Sequence, residues 1–157
     1  MKPILLFICT FCLFNCKGNT QKEPQKNYNV SKTEAEWKKQ LSDKEFHVLR
    51  EAGTERAFSS DLNKNYESGI YVCKACKTPL FKSEHKYDSG SGWPSFDREI
   101  EGNVAFSTDY NLGYARTEEH CATCGGHLGH VFNDGPKKTT GKRHCVNGVS
   151  LTFIPKK

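Results

Sequence analysis

The residues of this chain best suited to chemistry are its eight cysteines. Cys9, Cys12 and Cys16 lie near the N-terminus, and four more form two pairs, CKAC (Cys73, Cys76) and CATC (Cys121, Cys124). Cys145 is left without a partner in the body of the chain, inside GKRHCVNGVS, with Arg143, His144 and Asn147 around it. An unpaired cysteine is either a small buried hydrophobe or a reactive thiol. In an extended segment residues alternate sides, so Arg143, Cys145 and Asn147 would share one. Arg143 there favours a thiolate, and Asn147 can donate a hydrogen bond. HLGHVF supplies two imidazoles, His127 and His130, and Gly129 between them permits a bend that aims both at one point. GSGWPSF presents Trp93 on a loop shaped by glycine and proline. Taken singly, each has a plainer role: Cys145 as core filler, the histidines as backbone bridges, Trp93 as core, Arg143 as solvated surface. Together they make a nucleophile, two candidate acids, a thiolate-stabilising cation and an aromatic wall.

The two CxxC pairs point to a metal. Each places two thiolates on a tight turn, and two such turns facing each other make a tetrahedral four-sulfur cage suited to Zn2+. A closed cage has no open position for water or substrate, so such a zinc is structural and staples two distant hairpins. The other readings are two disulfides, redox motifs or bound iron. A thioredoxin-like motif needs a βαβ setting that this chain lacks.

The elements that must hold these groups are short. SKTEAEWKKQL and SDKEFHVLREAG both have helix-capping patterns, with Ser31 or Thr33 and then Ser42 as caps, and with Gly53 as the stop. From Ile70 onward, short β-branched and aromatic segments alternate with Gly, Pro, Asn and Asp: GIYVC, TPLF, NVAFSTD, LGYARTEEH, HLGHVF, KRHCV and VSLTFI. The expected fold is mainly β and antiparallel, with two short N-terminal helices and a four-cysteine zinc site. There is no phosphate-cradling glycine loop. The formal charge of +5 comes without a dense Lys/Arg block interleaved with aromatics, which speaks against a nucleic-acid partner.

The first residues are not part of that fold. An apolar run from Ile4 to Phe14 follows one lysine and is too short to span a bilayer. It fits an export signal, and Leu13-Phe14-Asn15-Cys16 resembles a loose bacterial lipoprotein box in which Cys16 becomes the lipidated first residue. A short uncleaved apolar anchor is the alternative. The division is therefore an export segment at 1–16, a polar tether at 17–30 and one domain at 31–157. The protein is expected at a periplasm-facing bacterial membrane as a lipoprotein, or otherwise periplasmic or secreted. Its only membrane contact would be the lipid on Cys16.

CKACKTPLF, KYDSGSGWPSF, GYARTEEHCATCGGHLGHVFNDGPKKTTGKRHCVNGVSLTFIP and EWKKQLSDKEFHVLREAGTER together resemble the B-type methionine sulfoxide reductases, specific for the R epimer. The likeness runs from about Glu36 to Pro155. It implies a β-rich fold of two antiparallel sheets, and zinc at Cys73, Cys76, Cys121 and Cys124. It implies that Cys145 is the nucleophile, served by His127, His130, Asn147 and Arg143. Trp93 would wall the pocket for the substrate methyl group, and Phe132 and Asp134 in HVFND match the family pattern beside it.

The implied chemistry is attack of the Cys145 thiolate on the sulfoxide sulfur, with a protonated histidine supplying the leaving oxygen's proton. Methionine departs and Cys145 is left as a sulfenic acid. Many family members carry a resolving cysteine in the DSGxGWPSF loop. Here that position is Ser91, which implies a one-cysteine enzyme recycled by an external thiol, thioredoxin-like or other. Its substrates would be oxidised proteins or peptides. Two alternatives remain at this level: a non-catalytic zinc-ribbon-like binding module, and a sensor that only becomes oxidised at Cys145.

Overall fold

The structure is a computed structural model that describes residues 27–157. The export segment expected at 1–16, and the tether up to residue 26, lie outside the described residues. Two helices open the described part, α1 (Glu34–Gln40) and α2 (Asp43–Glu51). Both start with a capping box, in which Thr33 and Ser42 accept the N–H of Glu36 and Glu45. The glutamates accept the cap N–H in return. Helix α2 does not end as expected. Ala52, not Gly53, takes the left-handed conformation, at φ 54°. A Cβ at Gly53 would lie 2.4 Å from the exposed His47 ring, which would have to swing aside.

Nine strands follow among the described residues, all paired antiparallel. They are β1 (Gly69–Cys73), β2 (Pro79–Lys82), β3 (Lys86–Tyr87), β4 (Ser95–Phe96), β5 (Val104–Asp109), β6 (Arg116–Cys121), β7 (His127–Phe132), β8 (Arg143–Val146) and β9 (Leu151–Pro155). They form a three-stranded sheet in the order β2-β1-β9 and a six-stranded sheet in the order β3-β4-β8-β7-β6-β5. The expected two-sheet fold with short N-terminal helices is the one observed.

Two strands are shorter than their patterns suggested. LGYARTEEH becomes strand only at Arg116, because residues 110–115 turn the chain, with Gly113 at φ 81°. VSLTFI becomes strand only at Leu151, because Gly148–Ser150 form a 3-10 turn whose N–H groups are drawn elsewhere.

The core joins the two sheets and the helices. Phe81 of β2 stacks on Phe96 of β4 with ring centroids 4.4 Å apart, and Tyr71 of β1 meets Phe96 edge-on at 5.0 Å. Trp37, Phe46 and Leu49 bring both helices into the same cluster as Leu128 of β7 and Val146 of β8. Burial of these side chains, each contributing about 1.5–3 kcal/mol, sets the central strands in place. Val146 points into this core, so Cys145 beside it must point out of it.

Candidate active site and metal centre

The four paired cysteines converge. Cys73 and Cys76 turn the chain between β1 and β2, and Cys121 and Cys124 turn it between β6 and β7. In each turn a left-handed residue, Lys77 at φ 64° or Gly125 at φ 70°, sends its N–H back to the first cysteine's carbonyl at 2.8 Å. All four sulfurs lie within 4.8 Å of one another, with Cys73–Cys124 at 3.7 Å and Cys76–Cys121 at 3.5 Å. A tetrahedron with metal–sulfur bonds of about 2.3 Å has edges of about 3.8 Å, so the cluster is of the size that zinc requires. Each sheet supplies one turn, so a metal here ties the two sheets together. Tyr28 and Val30 lie against the second turn: Val30 donates its N–H to the Thr123 carbonyl at 2.9 Å, and Tyr28 meets His120 edge-on.

Cys145 stands apart from that cage. It sits on β8 opposite Ser95 of β4 and His130 of β7, and its thiol lines a cavity of about 130 Å3 with Trp93, Gly129, His130, Phe132 and Asn147. Burial pushes the thiol above its ordinary pKa, while Ser91 and Arg143 pull the other way. Ser91 Oγ is 3.8 Å from the sulfur, at the end of a hydroxyl chain through Ser89 (2.8 Å) to Ser95 (2.7 Å). Arg143 is held by a two-pronged contact to Asp134, at 2.8 and 2.9 Å, and lies over the Phe132 ring at 4.3 Å. That pairing holds Asp134 below the usual carboxylate range. The expected alternation therefore puts Arg143 and Cys145 on one side. His144 goes to the other, buried, with Nδ1 2.7 Å from Glu119 Oε2 and Nε2 3.2 Å from Glu99.

The two histidines are not equivalent. His130 lies across the strand pair from Cys145 and lines its cavity, and its Nε2 is 2.7 Å from Asp109 Oδ2. Burial lowers the His130 pKa. His127 sits further along β7, with its ring centroid 5.5 Å from that of His130 and its Nδ1 2.7 Å from Glu118 Oε1. That contact holds Glu118 down at about 2. Beside Gly129 the register of β7 against β6 shifts, with Glu119 facing Gly129 but His120 facing His127, and this irregularity lets two histidines three residues apart bring their rings together. Gly129 also lets β7 and β8 approach closely, because a Cβ there would lie 2.0 Å from the Cys145 carbonyl oxygen.

Asn147 is not free to reach across the face. Its Oδ1 accepts the Glu55 N–H at 2.9 Å, and its Nδ2 donates to the Leu128 carbonyl at 2.9 Å. It ties the segment after α2 to the site. Glu55, absent from the sequence reading, completes that tie. Its buried carboxylate accepts the N–H groups of Gly148 (2.6 Å) and Val149 (3.0 Å), and its carbonyl accepts Trp93 Nε1–H at 3.1 Å. Asp109, Arg116 and Glu118 were missed as well. The one signal available was the charged pattern of ARTEEH beside a turn, which does not say which strand its carboxylates will face.

Comparison with known proteins agrees with this arrangement. The family described as "SelR domain" matches residues 41–155. The chain is 52% identical over 128 residues to a peptide methionine sulfoxide reductase MsrB of Leptospira interrogans, covering 81% of this chain and 97% of that one. It is 50% identical over 127 residues to the MsrB of Chromohalobacter salexigens, covering 80% and 96%. The mouse (Mus musculus) methionine-R-sulfoxide reductase B3, mitochondrial, is 47% identical over 132 residues, covering 83% of this chain and 52% of the mouse chain. The two turns that bring four thiols to metal-binding distance, and the family match across both sheets, make this chain a member of the SelR-domain family of B-type peptide methionine sulfoxide reductases, oxidoreductases that act on methionine-R-sulfoxide.

Proposed function

We propose that Cys145 reduces peptide-bound methionine-R-sulfoxide by direct attack on sulfur, and that the protein repairs oxidised proteins as a one-cysteine enzyme. The observation that carries this reading is the position of Cys145. It lies outside the four-cysteine cage and lines a cavity with Trp93, Phe132 and His130. About 130 Å3 is the space of some four waters at ~30 Å3 each, which suits the sulfur, oxygen, methyl and adjoining methylene of the substrate. Trp93 and Phe132 offer the methyl an apolar wall, and His130 faces the oxygen.

The Cys145 thiolate forms a bond to the sulfoxide sulfur while the oxygen takes a proton from imidazolium. Arg143 stabilises the thiolate. In collapse the hydroxyl oxygen bonds to the Cys145 sulfur as its bond to the methionine sulfur breaks, and the bond between the two sulfurs breaks as methionine leaves, so Cys145 ends as a sulfenic acid. The sulfoxide is reduced by two electrons and the thiol is oxidised by two. His130 is the nearer acid, and His127 supports it through the contact between their rings. Asn147 acts as a positioning group, holding Trp93 through Glu55. Two equivalents of an external thiol, thioredoxin-like or other, then return Cys145 to the thiol, releasing water and a disulfide. Ser91 cannot supply that disulfide internally. Zn2+ in the cage is structural.

Export and lipidation at Cys16 belong to the same reading and rest on the sequence of residues 1–16. They would place the repair activity at a periplasm-facing membrane.

The test is single turnover of the full chain, without reductant, on peptides carrying methionine-R-sulfoxide or its S epimer. About one equivalent of methionine from the R form alone, with a trappable sulfenic acid at Cys145, supports the reading. No methionine from either epimer overturns it.

A further inference from the structure

The Cys145 cavity has room for the sulfoxide end of a methionine but not for the polypeptide that carries it. That polypeptide must leave the cavity somewhere, and the surface around its mouth is not uniform. A second cavity of about 700 Å3 borders the first, and Thr54, Arg116 and His130 line both. Its far wall is the tip of the β5–β6 hairpin, where Tyr110 and Leu112 line it and remain 68% and 61% exposed. Tyr114, 58% exposed, stands on the same turn. Three large apolar side chains in five residues are unusual on the surface of a chain with mean hydropathy −0.69.

The fixed cation of this second cavity, Arg116, is already paired with Asp109, while Asp109 and Glu118 also contact His130 and His127. An acidic neighbour of the methionine would find the one arginine of this lining already taken. An extended peptide that leaves the first cavity can lay a side chain against the apolar wall of Tyr110 and Leu112.

We infer that this second cavity is a subsite for the residue next to methionine sulfoxide in an extended substrate, and that it selects apolar or aromatic neighbours. The inference rests on the reductase reading of Cys145. It commits to one occupant, a stretch of the oxidised polypeptide itself, because the two cavities share lining residues and one covalent chain must fill both. Buried apolar segments are also where methionines most often sit, so oxidised proteins that have partly unfolded would present such sequences.

The test measures kcat/KM on three kinds of R-sulfoxide substrate. The first is blocked N-acetyl-methionine sulfoxide amide, which has no neighbours. The others are pentapeptides with Phe or with Asp, placed on the N-side or on the C-side of the sulfoxide in a glycine background. The full chain should prefer Phe to Asp by about tenfold on one side, the lower end of what an apolar pocket discriminates. A Tyr110→Ser/Leu112→Ser double variant should lose that preference through KM, and should keep its rate on the blocked amino acid. Equal rates for Phe and Asp on both sides overturn the subsite. Equal loss on the blocked amino acid and the peptides also overturns it, because the hairpin would then serve the reaction in general. Failure of the full chain on every R-sulfoxide substrate, blocked amino acid and peptides alike, is a separate outcome, and it overturns the reductase reading from which the subsite follows.

Discussion

At the scale of single residues, reactivity comes from two opposed influences on one sulfur. Burial raises the Cys145 pKa, and Arg143 and Ser91 lower it. Burial also lowers that of His130. The productive pair, thiolate and imidazolium, has the same proton count as the resting pair, thiol and imidazole. The single-turnover rate should therefore hold level across neutral pH. It should fall on the acid side below the ordinary imidazole value of 6.5 and on the alkaline side above the ordinary thiol value of 9.0. A rate that simply climbs with pH through neutrality would sink the assignment of His130 as acid. Cys145→Ser should abolish methionine release, at least a thousandfold by the usual cost of losing a nucleophile. Ser91→Cys addresses recycling. The Ser91 hydroxyl is 3.8 Å from Cys145, and a disulfide needs about 2.05 Å, a modest loop movement. After one turnover this variant should weigh two hydrogens less than its reduced form, where the wild type gains one oxygen. A variant that gains the oxygen and keeps it would mean that the loop cannot close.

Elements act here by placing groups that they do not themselves carry. Strand β8 presents Cys145 outward only because Val146 is locked inward, and β7 reaches β8 closely only because residue 129 is glycine. Gly129→Ala puts a methyl 2.0 Å from a backbone oxygen, which no side-chain rotation relieves. Thermal or urea unfolding should show a loss of about 1–3 kcal/mol, with a larger proportional loss of activity as Cys145 shifts. The segment after α2 is tied by Glu55, which accepts two backbone N–H groups of the 3-10 turn Gly148–Ser150. Glu55→Ala would leave the buried Gly148 donor unmatched, at about 1–3 kcal/mol, and the half-buried Val149 donor open to water. The main-chain carbonyl of residue 55 that holds Trp93 survives this change but loses the carboxylate contacts that fix its position, so KM for the sulfoxide should rise in this variant. Unchanged KM with lowered stability would separate the two roles.

For the whole molecule, the four-cysteine cage is the joint between the sheets. One pair caps β1 and β2 of the smaller sheet, the other caps β6 and β7 of the larger. A metal bound there holds the two halves of the core in register, and its binding energy becomes folding energy. Removing zinc with a chelator, or replacing Cys124 with serine, should lower the melting temperature markedly and reduce activity as a consequence of unfolding. Zinc should restore the chelated wild type and leave the Cys124→Ser variant impaired. Activity lost at a temperature where circular dichroism shows the fold intact would instead place the metal in the reaction.

Some of this was legible without coordinates, because it depends on covalent spacing. Two CxxC turns set their thiols close together by local geometry alone, and Thr33 and Ser42 cap their helices through groups three residues away. Cys145 stood out by elimination once the pairs were assigned. The side of the strand it shares with Arg143 followed from a period of two. Tertiary structure alone decided the rest, because the partners are distant in sequence and polar groups choose among many. Glu55 meets Asn147 across 92 residues, Asp109 meets His130 across 21, and no periodicity announces either contact. The stop at Ala52, the role of Gly129 and the difference between the two histidines were likewise settled by which backbone or ring lies opposite.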